Sequence, residues 1–124
     1  MENLTYMEAK SLVIDDYNTF VEEGFTSEQA LAATLEDSIL MMKKQEKIYN
    51  AVILSLALIC LKQKFIPDYI LDRLLALRDF PDFRENEINH YNKDKSGVLS
   101  LLKNKQYRID KDENYKMRID LLFN

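Results

Sequence analysis

The stretch Ala51-Val52-Ile53-Leu54-Ser55-Leu56-Ala57-Leu58-Ile59-Cys60-Leu61 is apolar at every position except Ser55. A helix lying on the surface of a domain carries an apolar stripe and a polar back, whereas one that is apolar all round needs neighbours on several sides. This run therefore predicts a central helix, about Glu46 to Lys64, with other elements wrapped around it. It is too short to cross a bilayer, which takes about 20 residues. Lys47, Lys62 and Lys64 bracket it with charge, as expected of a core helix whose ends reach solvent.

Working outward, the flanking segments have the one-sided patterns that such a centre requires. Tyr6, Ala9, Val13, Tyr17 and Phe20 recur three to four apart and predict a helix over 5–23, closed by Gly24, where a left-handed cap costs glycine least. Its opposite side carries Glu8, Asp15, Asp16, Glu22 and Glu23. Thr26-Ser27-Glu28-Gln29 fits a capping box and opens a second helix, running to about Lys44, that buries Leu31, Leu35, Ile39 and Met42. After the central helix, Ile66-Pro67-Asp68 restarts the chain into a fourth helix ending near Arg78. Phe80 precedes a proline and is pushed extended, so Asp79-Phe80-Pro81-Asp82-Phe83 breaks the pattern. A weaker helix follows over 84–91. Asn92 to Gly97 is polar and reads as a loop, and Val98 to Lys103 as a short helix.

At the end of the chain the period changes. Tyr107 and Ile109, then Tyr115, Met117, Ile119 and Leu121, alternate with polar residues about the turn-like Lys111-Asp112-Glu113-Asn114. That alternation predicts a β-hairpin over 106–123; a helix through Tyr115, Ile119 and Leu122 is the alternative. The expected fold is mainly α: a bundle of four to five helices with a short C-terminal β-hairpin. It forms a single domain over 1–124 whose helical body covers about 5–104.

Composition narrows the function. Of 124 residues 47% are hydrophobic and 31% charged, which is globular, while one cysteine and two glycines exclude a disulfide scaffold and a collagen-like repeat. The net charge of −4 gives little support to nucleic-acid binding, and no nucleic-acid partner is expected. Over residues 1–42 nine acids face Lys10 alone, a net of −8, whereas 16 basic and 12 acidic side chains from Lys43 onward give +4. An acidic front third attracts cationic partners. Residues 1–25 show neither a basic n-region nor an apolar core of a leader, so the expected compartment is the cytoplasm, with no membrane contact.

Chemical equipment is sparse. The only histidine, His90, lies in a polar stretch and the only cysteine, Cys60, in the apolar run, so neither a nucleophile pair nor a zinc site is expected. Gly24 and Gly97 are isolated, which leaves no phosphate-binding loop. Asn92, Asp94, Ser96, Gly97 and Leu99 match part of a calcium loop, but its closing position is Lys103; Asp110, Asp112 and Asn114 match part of a second, closed by Leu121. No catalytic, cofactor or metal residue is expected, and the chain reads as a non-enzyme. Two acidic sets remain as partner-binding candidates: Asp15, Asp16, Glu22 and Glu23 on the first helix, and Asp79, Asp82, Glu85 and Glu87 with Phe80 or Phe83 as a rigid aromatic anchor.

Size, acidity, missing catalytic groups and the helical body from Thr26-Ser27-Glu28-Gln29 through Ala51–Leu58 to Asp79 together resemble the small immunity proteins of bacterial contact-dependent and other polymorphic toxin systems. The resemblance is one of type and carries no signature motif. It implies a cytosolic inhibitor that neutralises a cognate toxin one-to-one, often a nuclease with a basic groove that acidic side chains can occupy. The competing expectation is a helical adaptor or regulator that binds a cytosolic partner or forms a homodimer through its third or fourth helix.

Overall fold

The structure is a computed structural model that describes residues 4–77 and 85–123, at 46 and 47 by the backbone alone. The chain runs α1 (Tyr6–Glu22), α2 (Ser27–Lys44), α3 (Glu46–Lys62), β1 (Phe65–Pro67), α4 (Asp68–Leu75), α5 (Glu85–Asn104), β2 (Arg108–Asp110) and α6 (Glu113–Phe123). As its composition requires, α3 is the hub: 51–57 are all buried, and α1, α2, α4, α5 and β1 pack against it. Each Val, Leu or Ile withdrawn from water there contributes about 1.5–3 kcal/mol relative to exposure.

The helix ends follow local chemistry. At Thr26 the side chain accepts from Gln29 N–H while Gln29 Oε1 accepts from Thr26 N–H, and Thr5 and Glu8 make the same reciprocal pair at the start of α1. Gly24 takes φ +101°, and beyond it Phe25 N–H reaches back to Phe20 C=O while Gly24 N–H reaches Val21 C=O. The Phe20 and Phe25 rings, with centroids 5.0 Å apart, add the apolar contact that accompanies this cap. The turn is short, so α1 and α2 fold back on each other as a hairpin.

Two expectations need correction. Residues 85–104 form one helix where a short helix, a polar loop and another short helix were expected. Tertiary partners hold the polar middle in place. Asp94 accepts from Tyr6 Oη (2.7 Å) and pairs with Lys10 Nζ (3.0 Å), while Tyr91 accepts from Asn50 Nδ2 of α3 (3.2 Å). Helix geometry also runs through the partial calcium match at 92–103.

The C-terminal hairpin is not formed either. Residues 108–110 pair in parallel with β1, in the register Phe65↔Arg108, Ile66↔Ile109 and Pro67↔Asp110, and 113–123 are the helix α6. Asp112 explains the switch, because its carboxylate accepts from Tyr115 N–H (3.0 Å) and starts a helix. Burial then follows helical spacing. Ile119 is fully buried and Tyr115 and Phe123 partly so, while Met117 and Leu121, their partners in the alternating pattern, stand 64% and 74% exposed. The total is six helices among the described residues, against the four to five expected.

Side-chain contacts clamp α6 to α2 and α4. Tyr115 Oη donates to Glu36 (3.1 Å), Arg118 pairs with Glu36 (2.7 Å), Lys116 pairs with Asp72, and the Arg73 guanidinium lies 3.7 Å from the centre of the Phe123 ring.

Ile119→Ala should destabilise the protein by about 3 kcal/mol, the cost of a large-to-small change in a core. Leu121→Ala should stay within about 0.5 kcal/mol. Chemical denaturation of the two variants checks this, since a hairpin would place both residues on one face and give them similar costs.

Candidate functional site: an acidic and apolar face on α1 and α2

The described acidic candidates fall in different places. Asp15 and Asp16 lie mid-way along α1, while Glu22 and Glu23 are exposed where it ends. Glu85 is exposed at the start of α5. Glu87, two residues on, is buried, and its Oε1 accepts from Tyr6 N–H at 2.9 Å, which ties α5 to the first turn of α1. Its carboxylate therefore belongs to the interior and not to an acidic surface. Asp79, Phe80, Asp82 and Phe83 lie outside the described residues.

Packing adds a residue that the sequence did not single out. Asp37 of α2 comes opposite Asp16, where the two carboxyls can share a proton. With Leu12, Asp15, Thr19 and Met41 they line an open cavity of about 440 Å³ between the two helices. Burial is the first cause that raises the Asp16 carboxyl from its ordinary value of 3.8 to about 6. Sharing of the proton with Asp37 and the negative charge of Asp37 follow, then Glu23. Two carboxylates this close favour holding one proton between them.

Apolar side chains surround this cluster. Leu40 is 71% exposed and Leu12 47%, and a second concavity, lined by Leu4, Met7, Glu8, Ser11, Leu12 and Asp15, continues along α1. Carboxylates set among exposed leucine and methionine are suited to an amphipathic cationic surface, with guanidinium or ammonium groups meeting the acids and apolar contacts between them. In the sequence Asp37 looks like an ordinary exposed residue of α2, because its partner is 21 positions away and only the hairpin packing brings them together.

The two residues considered for nucleophilic chemistry remain apart in character. Cys60 is buried, and loss of solvent pushes its thiol up to about 12; His90 is exposed on α5. Among the described residues no group of three or more His, Cys, Asp or Glu is placed to hold a metal ion, and no helix is long and apolar enough to cross a membrane.

The raised Asp16 carboxyl sets a pH dependence. The native state holds this proton more tightly than the unfolded chain, so the associated stability is fully present below about 3.8 and is lost as pH rises through about 6. Asp37→Asn removes the neighbouring charge and should move the Asp16 titration down toward the ordinary carboxylate range. NMR titration of the side-chain carboxyl carbon checks both the midpoint and its displacement.

No family model, no curated protein and no solved structure matches the chain.

Proposed function

We propose that this chain acts by binding another macromolecule, as an immunity protein that neutralises a cognate bacterial toxin through the acidic face of α1 and α2. The observation that supports this reading most is the convergence of Asp15, Asp16 and Asp37 from two helices, beside exposed Leu12 and Leu40 and half-buried Met41. Holding carboxylates together costs free energy through mutual repulsion, and a cationic partner relieves it. A toxin with a basic nucleic-acid groove is the partner class that complements such a face. Glu22 and Glu23 extend the acidic field along α1, and Asp79, Asp82 and Glu85, with Phe80 or Phe83 as anchor, are the remaining candidates for contact. The cytoplasm, where such inhibitors meet incoming toxins, is the proposed location. No catalytic, cofactor, nucleic-acid or membrane role forms part of this reading.

The second reading is a helical adaptor or regulator that binds another cytosolic protein or self-associates. Leu75 of α4, 70% exposed, supports it as an apolar contact on the fourth helix. On the third helix residues 51–57 are buried, and the apolar side chains nearest solvent are the half-buried Tyr49, Leu58 and Ile59.

Co-expression with the product of the adjacent gene should rescue growth and co-purify the pair; failure of both favours the adaptor. With the toxin in hand, the triple change Asp15→Lys, Asp16→Lys and Asp37→Lys should slow association about tenfold at low salt, a difference that high salt removes. The wild-type affinity should rise as pH increases through about 6, since the cation binds the deprotonated Asp16. An association rate that these changes leave untouched overturns the placement of the interface.

A further inference from the structure

A different cavity, of about 590 Å³, opens between α1, α3 and α5, and its electrostatics are opposite to those of the acidic face. Contacts among the three helices fix what lies along it. Asn50 meets Tyr91 and Leu58 meets Gly97, so α3 and α5 run in the same direction, with Ser55 level with residues 94 and 95. Lys10 meets Asp94, and further on Tyr17 Oη accepts from Gln63 Nε2, which brings α1 into the same register. The cavity is therefore a trough. Lys10, Lys93 and Asp94 stand at one end beside Ser55, aliphatic Ile14, Leu58 and Ile59 form the middle, and Lys62 stands at the other end.

Three features of this trough are not explained by folding. First, Ser55 is 2% exposed and its hydroxyl has no hydrogen-bond partner among the described residues, although it lines the cavity. A buried hydroxyl without a partner destabilises a fold, and a helical serine ordinarily avoids this by bonding the preceding turn. Second, Lys62 and Lys93 are exposed and make no ion pair with any described residue. Third, Gly97 sits inside α5, where glycine weakens a helix relative to alanine, yet an added Cβ would meet nothing nearer than Leu58 at 3.8 Å. Alanine would fit; glycine leaves the trough wider.

We propose that this trough binds an elongated organic dianion, two carboxylates joined by an aliphatic chain, with one end on Ser55 and Lys93 and the other on Lys62. Asp94 offsets one of the two lysines at the first end, so each end presents one net positive charge to one carboxylate. Along α3 the seven-residue step from Ser55 to Lys62 spans roughly 10 Å, which matches the separation of the carboxylates in a nine-carbon diacid. The aliphatic middle is what favours a hydrocarbon linker over a sugar or a nucleotide.

The full chain titrated with azelate, followed by calorimetry and by the amide signals of Gly97 and Ser100, tests this. Saturable binding is expected, with nonanoate about tenfold weaker and 1,9-nonanediol showing none. Lys62→Gln should reduce azelate to the affinity of nonanoate. Ser55→Ala should weaken both acids while leaving the thermal midpoint unchanged or higher, and Gly97→Ala should raise the midpoint and weaken azelate. Equal binding of acid and diol, equal binding of azelate and nonanoate, or an azelate affinity that survives both Ser55→Ala and Lys62→Gln each overturns the proposal. The Asp15, Asp16 and Asp37 changes should leave azelate binding intact, which separates this site from the partner-binding face.

Discussion

The rest of the molecule depends on the need to cover α3 on every side. A helix with seven consecutive buried residues cannot rest on a single neighbour, so the chain supplies a hairpin of helices, α1 and α2, and closes the remaining faces with α4, α5 and β1. The apolar faces of α1 and α2 answer that demand directly. The covering on the α5 side is more polar, and it holds by specific pairs: Glu87 on the Tyr6 backbone, Asp94 on the Tyr6 hydroxyl and Lys10, and Tyr91 on Asn50. Burial pushes the Tyr6 hydroxyl well above the ordinary tyrosine range, and its bond to Asp94 adds to the shift, so it stays a donor throughout the physiological range.

This arrangement separates the charges of the chain in space more sharply than in sequence. The acids of α1 lie on its outer faces and where it ends, whereas the carboxylates that meet its other side, Glu87 and Asp94, come from α5. Lysines from α1, α3 and α5 then gather around a trough on another side of α1. An acidic protein thus carries one cavity lined by carboxylates and another lined by lysines. The two share α1 but no lining residue, so occupancy of one leaves the charged groups of the other in place.

The C-terminal segment adds a second kind of closure. Short parallel strands gain little alone, and β1 with β2 is held by what surrounds it: the Arg108 guanidinium lies 5.3 Å from the Phe65 ring centre and bonds Asp110 at 2.8 Å, and Asp68 accepts from Asp112 N–H at 3.3 Å. From there α6 reaches α2 and α4 and inserts Ile119 into the core. Elements far apart in sequence are thereby tied around the hub.

Much of this was legible in the residues themselves because the signals are local. The apolar run of α3, the three-to-four spacing of Tyr6, Ala9, Val13 and Tyr17, the capping box at Thr26 and the left-handed glycine at Gly24 each depend on neighbours a few positions away. The course of α5 and α6 was not legible, for the reverse reason. Asn92 to Gly97 is helical because Asp94 and Tyr91 find partners on α1 and α3, and Tyr115 to Leu121 reads as a strand until packing selects Ile119 and leaves Met117 and Leu121 in solvent. The candidate site divides the same way. Asp15 and Asp16 announce an acidic helix, but pairing with Asp37, the withdrawal of Glu87 into the interior and the trough beneath Gly97 arise only where helices meet, since side chains distant in sequence acquire a common environment through tertiary packing alone.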